Sequence, residues 1–238
     1  DLKKELDENT VLVSINTVDS ELGTIQPIKK IGDLLKDYPN ITFHTDATQA
    51  IGKTNINYEN VDFITFAPHK FFGLNGTGVL VNRNNKKLIP LIHGGKSTTK
   101  FRSGTPVTAN IAALNKAFDL AVKNLKEREE YTSKLNKRLR EELTKLTSVH
   151  INSPKKSIPT TLNISLVDKN ANEIVKKLEE KEIYLSTTTA CSLESMPSKS
   201  VYAITKDENL AKNTIRISLS HKTKKEEIDR FLEIFKEL

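Results

Sequence analysis

The chain has 238 residues, 37% apolar and 28% charged, with a formal net charge of +7 and a single cysteine. That balance excludes a disordered tail and allows one large domain or two modest ones. No apolar run approaches the roughly 20 residues that cross a bilayer, and no block near the start reads as a signal peptide. One cysteine excludes an internal disulfide framework and a multi-cysteine zinc or iron–sulfur site, and it suits a reducing cytoplasm. No metal site is assigned. The charge comes from 30 lysines and 7 arginines. The lysines are interleaved with glutamate along the whole chain and tryptophan is absent, so they read as solvated surface and no nucleic-acid partner is expected.

Asp1–Asn9 reads as the end of a surface helix entering a strand, the pattern of a protein's interior, and leads to the expectation of a longer protein. Thr10–Asn16 is a β-branched apolar run, the mark of a buried strand. Pro27–Tyr38 predicts an amphipathic helix with proline at its first position. Ile41–Thr45, Val61–Phe66 and Gly78–Val81 predict further strands. Strand, helix and strand in so short a span imply a mostly parallel sheet. Thr105–Leu146 predicts one long helix, or two broken near Glu130. Beyond Val149, strands at Thr160–Leu166 and Thr214–Leu219 and helices at Ala171–Lys181 and Lys224–Leu238 predict a smaller α+β domain. The expected division is residues 1–125 for part of a large α/β domain and 126–238 for the small domain with its linking helix.

In parallel sheets ligands bind outside the carboxyl ends of the strands. The strand at Ile41–Thr45 ends at Asp46, and that at Val61–Phe66 ends at Ala67, Pro68, His69 and Lys70; the first strand ends near Asp19, Ser20 and Glu21. Taken singly, Asp46 reads as a helix cap and Lys70 as a surface lysine. Together at one sheet edge they suit pyridoxal 5′-phosphate, which needs a lysine for its Schiff base and an acid opposite its ring nitrogen.

The stretches HTDATQAIGK (His44–Lys53), PHKFFGLNGTGVL (Pro68–Leu80) and HGGKSTTKFRSGT (His93–Thr105) resemble the cysteine desulfurase family of class V, fold-type I pyridoxal-phosphate enzymes. So do ELGTIQPI (Glu21–Ile28), TTTACS (Thr187–Ser192) and RISLSHKTKKEEID (Arg216–Asp229). The six motifs occur in the family's order and run from the middle of its pattern to its end. The resemblance implies an incomplete fold-type I large domain joined by a long helix to the small domain. It implies that Lys70 is the Schiff-base lysine, Asp46 the acid at the pyridine nitrogen, Gln49 the partner of the phenolic oxygen and His69 a phosphate contact. Thr105 resembles a phosphate ligand given across a homodimer interface, and Arg216 the clamp on the substrate's α-carboxylate. Cys191 resembles the nucleophile, which takes sulfur from L-cysteine to leave L-alanine and a persulfide for a sulfur-acceptor protein such as an iron–sulfur scaffold, or for tRNA thiolation.

Ala67 stands where the family carries a phosphate-binding serine, and Pro68 removes a backbone N–H. Asp19 and Ser20 replace paired asparagines, the second of which holds cofactor and substrate. These departures, with the absent upstream motifs, imply weak cofactor binding and little turnover by this chain alone. An aminotransferase or selenocysteine lyase on the same scaffold stays open, as does a non-catalytic partner-binding remnant. His150 and His221 read as ordinary surface residues.

Overall fold

The computed structural model describes residues 1–95, 99–187 and 196–238. They form two compact units, residues 1–17 with 27–123 and residues 18–26 with 124–238. Among the described residues no helix is long and apolar enough to cross a membrane.

The first unit contains α1 (Leu2–Glu5), β1 (Leu12–Asn16), α2 (Ile28–Leu35), β2 (Thr42–Asp46), β3 (Phe63–Phe66), a 3-10 turn (Pro68–Phe71), β4 (Val79–Asn82) and α3 (Thr108–Lys123). The sheet runs β1-β2-β3-β4; β1 and β3 lie parallel to β2, and β4 returns antiparallel. Pro27 is the N-cap of α2 and not its first residue. Helix α2 buries Ile28, Gly32 and Leu35. Glycine is required at 32, because a Cβ there would meet the Glu59 carbonyl oxygen at 2.8 Å. Alternation fixes the faces of the sheet. Val13 on β1 and Phe43 and Thr45 on β2 are buried, while Ser14, His44 and Asp46 project to the opposite face. Asp62, nearly buried, accepts from the backbone N–H of Phe43 at 2.9 Å and from the Asn84 amide at 2.8 Å, which secures the entry to β3.

The second unit holds the 18–26 segment, α4 (Leu125–Leu143), β5 (Val149–Ile151), β6 (Thr161–Leu166), α5 (Ala171–Glu179), α6 (Lys199–Thr205), α7 (Glu208–Lys212), β7 (Thr214–Ser218) and α8 (Lys225–Glu237). Its sheet, β5-β6-β7, is antiparallel. Every residue of β6 is buried. Leu162, Ile164 and Leu166 join Leu135, Leu139 and Leu143 of α4 and Ile228, Phe231, Leu232 and Phe235 of α8 in one apolar cluster. The other face of β6 is polar and partly paired: Asn152 donates to Asn163 Oδ1 at 2.7 Å and to Ser165 Oγ at 2.6 Å, and Thr214 donates to Asn163 Oδ1 at 2.7 Å, while Asn152 Oδ1 and Asn163 Nδ2 are buried without a partner among the described residues.

The long helical stretch is two helices, but the break falls at Asn124 and not near Glu130. Asn124 has φ −102° and ψ 9°, outside the helical well. An asparagine side chain competes for backbone hydrogen bonds, which makes it a natural interruption.

Candidate functional site

Strand β2 delivers Asp46 as its last residue. The Thr17 N–H donates to the Asp46 carbonyl at 2.7 Å and the Ala47 N–H to the Thr65 carbonyl at 2.8 Å, so the sheet ladder holds this end on both sides. The Asp46 side chain is exposed, and one of its oxygens accepts from the Thr48 N–H at 2.8 Å. No helix follows Asp46, so the bond caps a turn and not a helix, and it occupies one oxygen. The other has no protein partner among the described residues. Gln49 follows in the same turn, half-buried, accepting through Oε1 from the Lys53 ammonium.

Strand β3 ends at Phe66, and extended Ala67 leads into the Pro68–Phe71 turn. Pro68 and Phe71 are buried there while His69 and Lys70 are exposed. Phe71 is the pin. Its ring centroid lies 6.1 Å from that of Phe66 and 6.3 Å from that of Phe118 on α3. Gly73 closes the turn, its N–H donating to the Pro68 carbonyl at 2.9 Å; a Cβ at 73 would lie 2.8 Å from that of Pro68. Lys70 is thus pushed to solvent, its ammonium in no hydrogen bond or ion pair among the described residues. Asp46 ends one of two adjacent parallel strands and Lys70 follows the end of the other. Thr105, in the same unit, is exposed.

Arg216 and Ser20 belong to the second unit. Arg216 sits in the middle of β7, half-buried, donating through Nη1 to the Ser20 carbonyl at 3.4 Å. The backbone of Ser20, not its hydroxyl, makes this contact. The Arg216 Nε is buried with no partner among the described residues. Burial pushes the guanidinium pKa down and the Glu21 carboxylate opposes that shift. A half-buried guanidinium with unfilled donors is suited to a carboxylate ligand. Asp19 accepts from the N–H groups of Glu21 and Leu22 at 2.9 and 2.7 Å and from Ser200 Oγ at 2.8 Å. It shapes the turn that presents Ser20.

Cys191 lies outside the described residues, as do residues 188–190 and 192 of its motif and residues 96–98. His150 is exposed. His221 is half-buried instead of on the open surface; burial first, then Arg128 and Lys222, push its pKa down. Sequence reading gave Glu21 no role beyond its motif. It is 8% exposed and accepts from Ser198 Oγ, a contact between residues 177 apart that no local pattern signals.

The fold is that of an α/β protein whose parallel strands bring an acid and a lysine to one edge of the sheet. The aminotransferase class-V family model matches residues 1–231, and the chain belongs to that family. It is 37% identical over 241 residues to the protein named cysteine desulfurase IscS in Clostridium botulinum, covering 98% of this chain and 60% of that one. It is equally 37% identical over 235 residues to the mitosomal cysteine desulfurase of Encephalitozoon cuniculi, covering 96% and 54%. A solved structure described as a NifS-like protein matches with a TM-score of 0.89 at 34% identity, over all of this chain and 64% of that one. Another, SspA in complex with cysteine, matches with a TM-score of 0.72 at 32% identity, over 92% and 61%. The chain spans about 60% of the length of the curated relatives it matches.

The family is one of pyridoxal 5′-phosphate enzymes, and the residues of the first unit fit the ring end of that cofactor. Asp46 has a carboxylate oxygen to give to a ring N–H, Gln49 lies on the same turn, and Lys70 offers an unengaged amine.

Proposed function

We propose that the whole protein is a pyridoxal-phosphate-dependent cysteine desulfurase. The observation that carries this reading is the placement of Asp46 and Lys70 at the ends of adjacent parallel strands, inside motifs that run in family order. The relatives' names support a desulfurase over the aminotransferase and selenocysteine lyase alternatives.

In this reading Asp46, Gln49, His69 and Lys70 hold the cofactor, which when bound supplies an electron sink for the substrate's α-carbon. Asp46 keeps a proton on the ring nitrogen, and Lys70 carries protons to and from the substrate carbon. Arg216, with Ser20 beside it, clamps the α-carboxylate of L-cysteine. The thiolate of Cys191 attacks the substrate's sulfur. The C–S bond breaks, an S–S bond forms on Cys191, and the carbon takes a proton to leave L-alanine. Thr105 serves the phosphate of a second subunit, which makes the working form a homodimer. The persulfide passes to an acceptor protein, such as an iron–sulfur scaffold, or into tRNA thiolation, in the reducing cytoplasm that a single free thiol supports.

Alanine release from L-cysteine by the full-length protein tests this. Activity abolished in Cys191→Ala with cofactor binding retained is the expected result; full activity in that variant contradicts it.

A further inference from the structure

His44 projects from the same face of β2 as Asp46, two residues earlier. Both of its ring nitrogens are engaged by hydroxyls of neighbouring strands. Ser14 Oγ on β1 lies 2.7 Å from Nδ1, and Thr65 Oγ1 on β3 lies 3.0 Å from Nε2. The register gives this bridge a direction. Ser14 is paired with His44, but Thr65 is paired with Asp46. The imidazole therefore leans toward the carboxyl end of the sheet and meets, in Thr65, the residue directly across from Asp46, at the strand spacing of about 4.8 Å.

A hydroxyl both donates and accepts, so the three groups can be polarised in two ways. In one, Ser14 donates to Nδ1, Nε2–H donates to Thr65 Oγ1, and the Thr65 O–H proton is left to point onward. In the other, Thr65 spends its proton on Nε2 and turns a lone pair toward its neighbour. A carboxylate in the adjacent row favours the first arrangement, because it attracts the free O–H dipole. The aligned dipoles in turn stabilise the charged carboxylate.

We infer that Ser14, His44 and Thr65 form a hydrogen-bond relay, with His44 in its Nε2–H tautomer, that acts as a positioning element for Asp46. It orients the Thr65 hydroxyl in the row directly across from Asp46. The inference rests on the reading of Asp46 as the partner of the cofactor's ring nitrogen. It concerns residues for which that reading required no role.

The test uses the full-length protein. Nitrogen-15 shifts of the labelled imidazole report the tautomer without cofactor, and the Nδ1–H form overturns the relay. Thr65→Val keeps shape and strand preference while deleting the hydroxyl; His44→Phe deletes the bridge. Each single change is expected to weaken pyridoxal phosphate binding by about fivefold, the worth of one neutral hydrogen bond. Each is also expected to move the pH midpoint of the bound chromophore, and the double variant should do no more than either single one. Effects that add, or variants that alter only the urea midpoint, overturn the inference. If the parent protein takes up no cofactor, the reading of Asp46 fails, and the relay is then judged on the tautomer alone.

Discussion

Gly52 and Phe71 touch across the ends of two adjacent strands: a Cβ built on Gly52 would lie 2.9 Å from the Cβ of Phe71. Gly52 belongs to the turn that begins at Asp46, and Phe71 directly follows Lys70. This contact therefore sets the spacing between the turn that carries the acid and the turn that carries the amine.

Gly52 has φ +74°, and Ala121 of α3 lies 3.0 Å from the same added Cβ. Gly52→Ala is expected to lose about 2–4 kcal/mol, from a left-handed alanine and an overpacked contact. Urea unfolding measures this. Pyridoxal phosphate affinity should fall with it, because Lys70 moves relative to Asp46. An alanine variant as stable as the parent would show that this contact does not set the spacing.

Lys70 is the expected attachment point of the cofactor. Borohydride reduction of the loaded protein, followed by peptide mapping, should leave the pyridoxyl group on Lys70. Lys70→Ala should take no label. A label on another lysine, Lys53 beside Gln49 included, would contradict the assignment.

Arg216→Lys keeps the positive charge but loses the planar fork. The expected result is a KM for L-cysteine raised about tenfold or more, the worth of one charge-assisted hydrogen bond, with kcat changed less. Steady-state kinetics separate the two. An unchanged KM would mean that the unfilled donors of Arg216 serve the protein and not the substrate.

Glu142 on α4 is held by Lys145 and by Lys236 of α8, the latter at 2.7 Å, and these partners pull its carboxyl from 4.5 down to about 2. A carboxyl lowered in the folded state contributes stability that is present above its unfolded value and is lost as pH falls through its folded value. That contribution should fade between about pH 4.5 and pH 2. Urea midpoints of the parent and Glu142→Gln should differ near neutrality and converge in that window. A gap that persists at pH 2 would count against the pairing.

The elements that position the site were legible because their signals are local. Short β-branched runs end in Asp46 and in the Pro68-His69-Lys70 turn. What escaped was long-range. No glycine or proline marks the break at Asn124, so the sequence did not separate it from a break near Glu130, which lies inside α4. Residues 18–26 follow β1 directly, yet they are stitched into the second unit. Ser153 donates to the Leu22 carbonyl at 2.7 Å and the Ile158 N–H to the Gly23 carbonyl at 2.9 Å, while a Cβ added to Gly23, at φ +70°, would lie 3.2 Å from Ile158 and Thr161. Such bonds leave no periodic trace. The three-residue β5 and the short helices α6 and α7 fall below the length at which a pattern repeats. The contact of Ser20 with Arg216 runs through a carbonyl that every residue type possesses.

The central claim is that sulfur passes from L-cysteine to Cys191, the one cysteine of these 238 residues. Its most direct measurement is mass spectrometry of the full-length holoenzyme, digested after brief incubation with L-cysteine and alkylation. One added sulfur atom is expected on the peptide containing Cys191, with L-alanine formed in equal amount. Alanine or sulfide formed with Cys191 unmodified, and undiminished in Cys191→Ala, would contradict it.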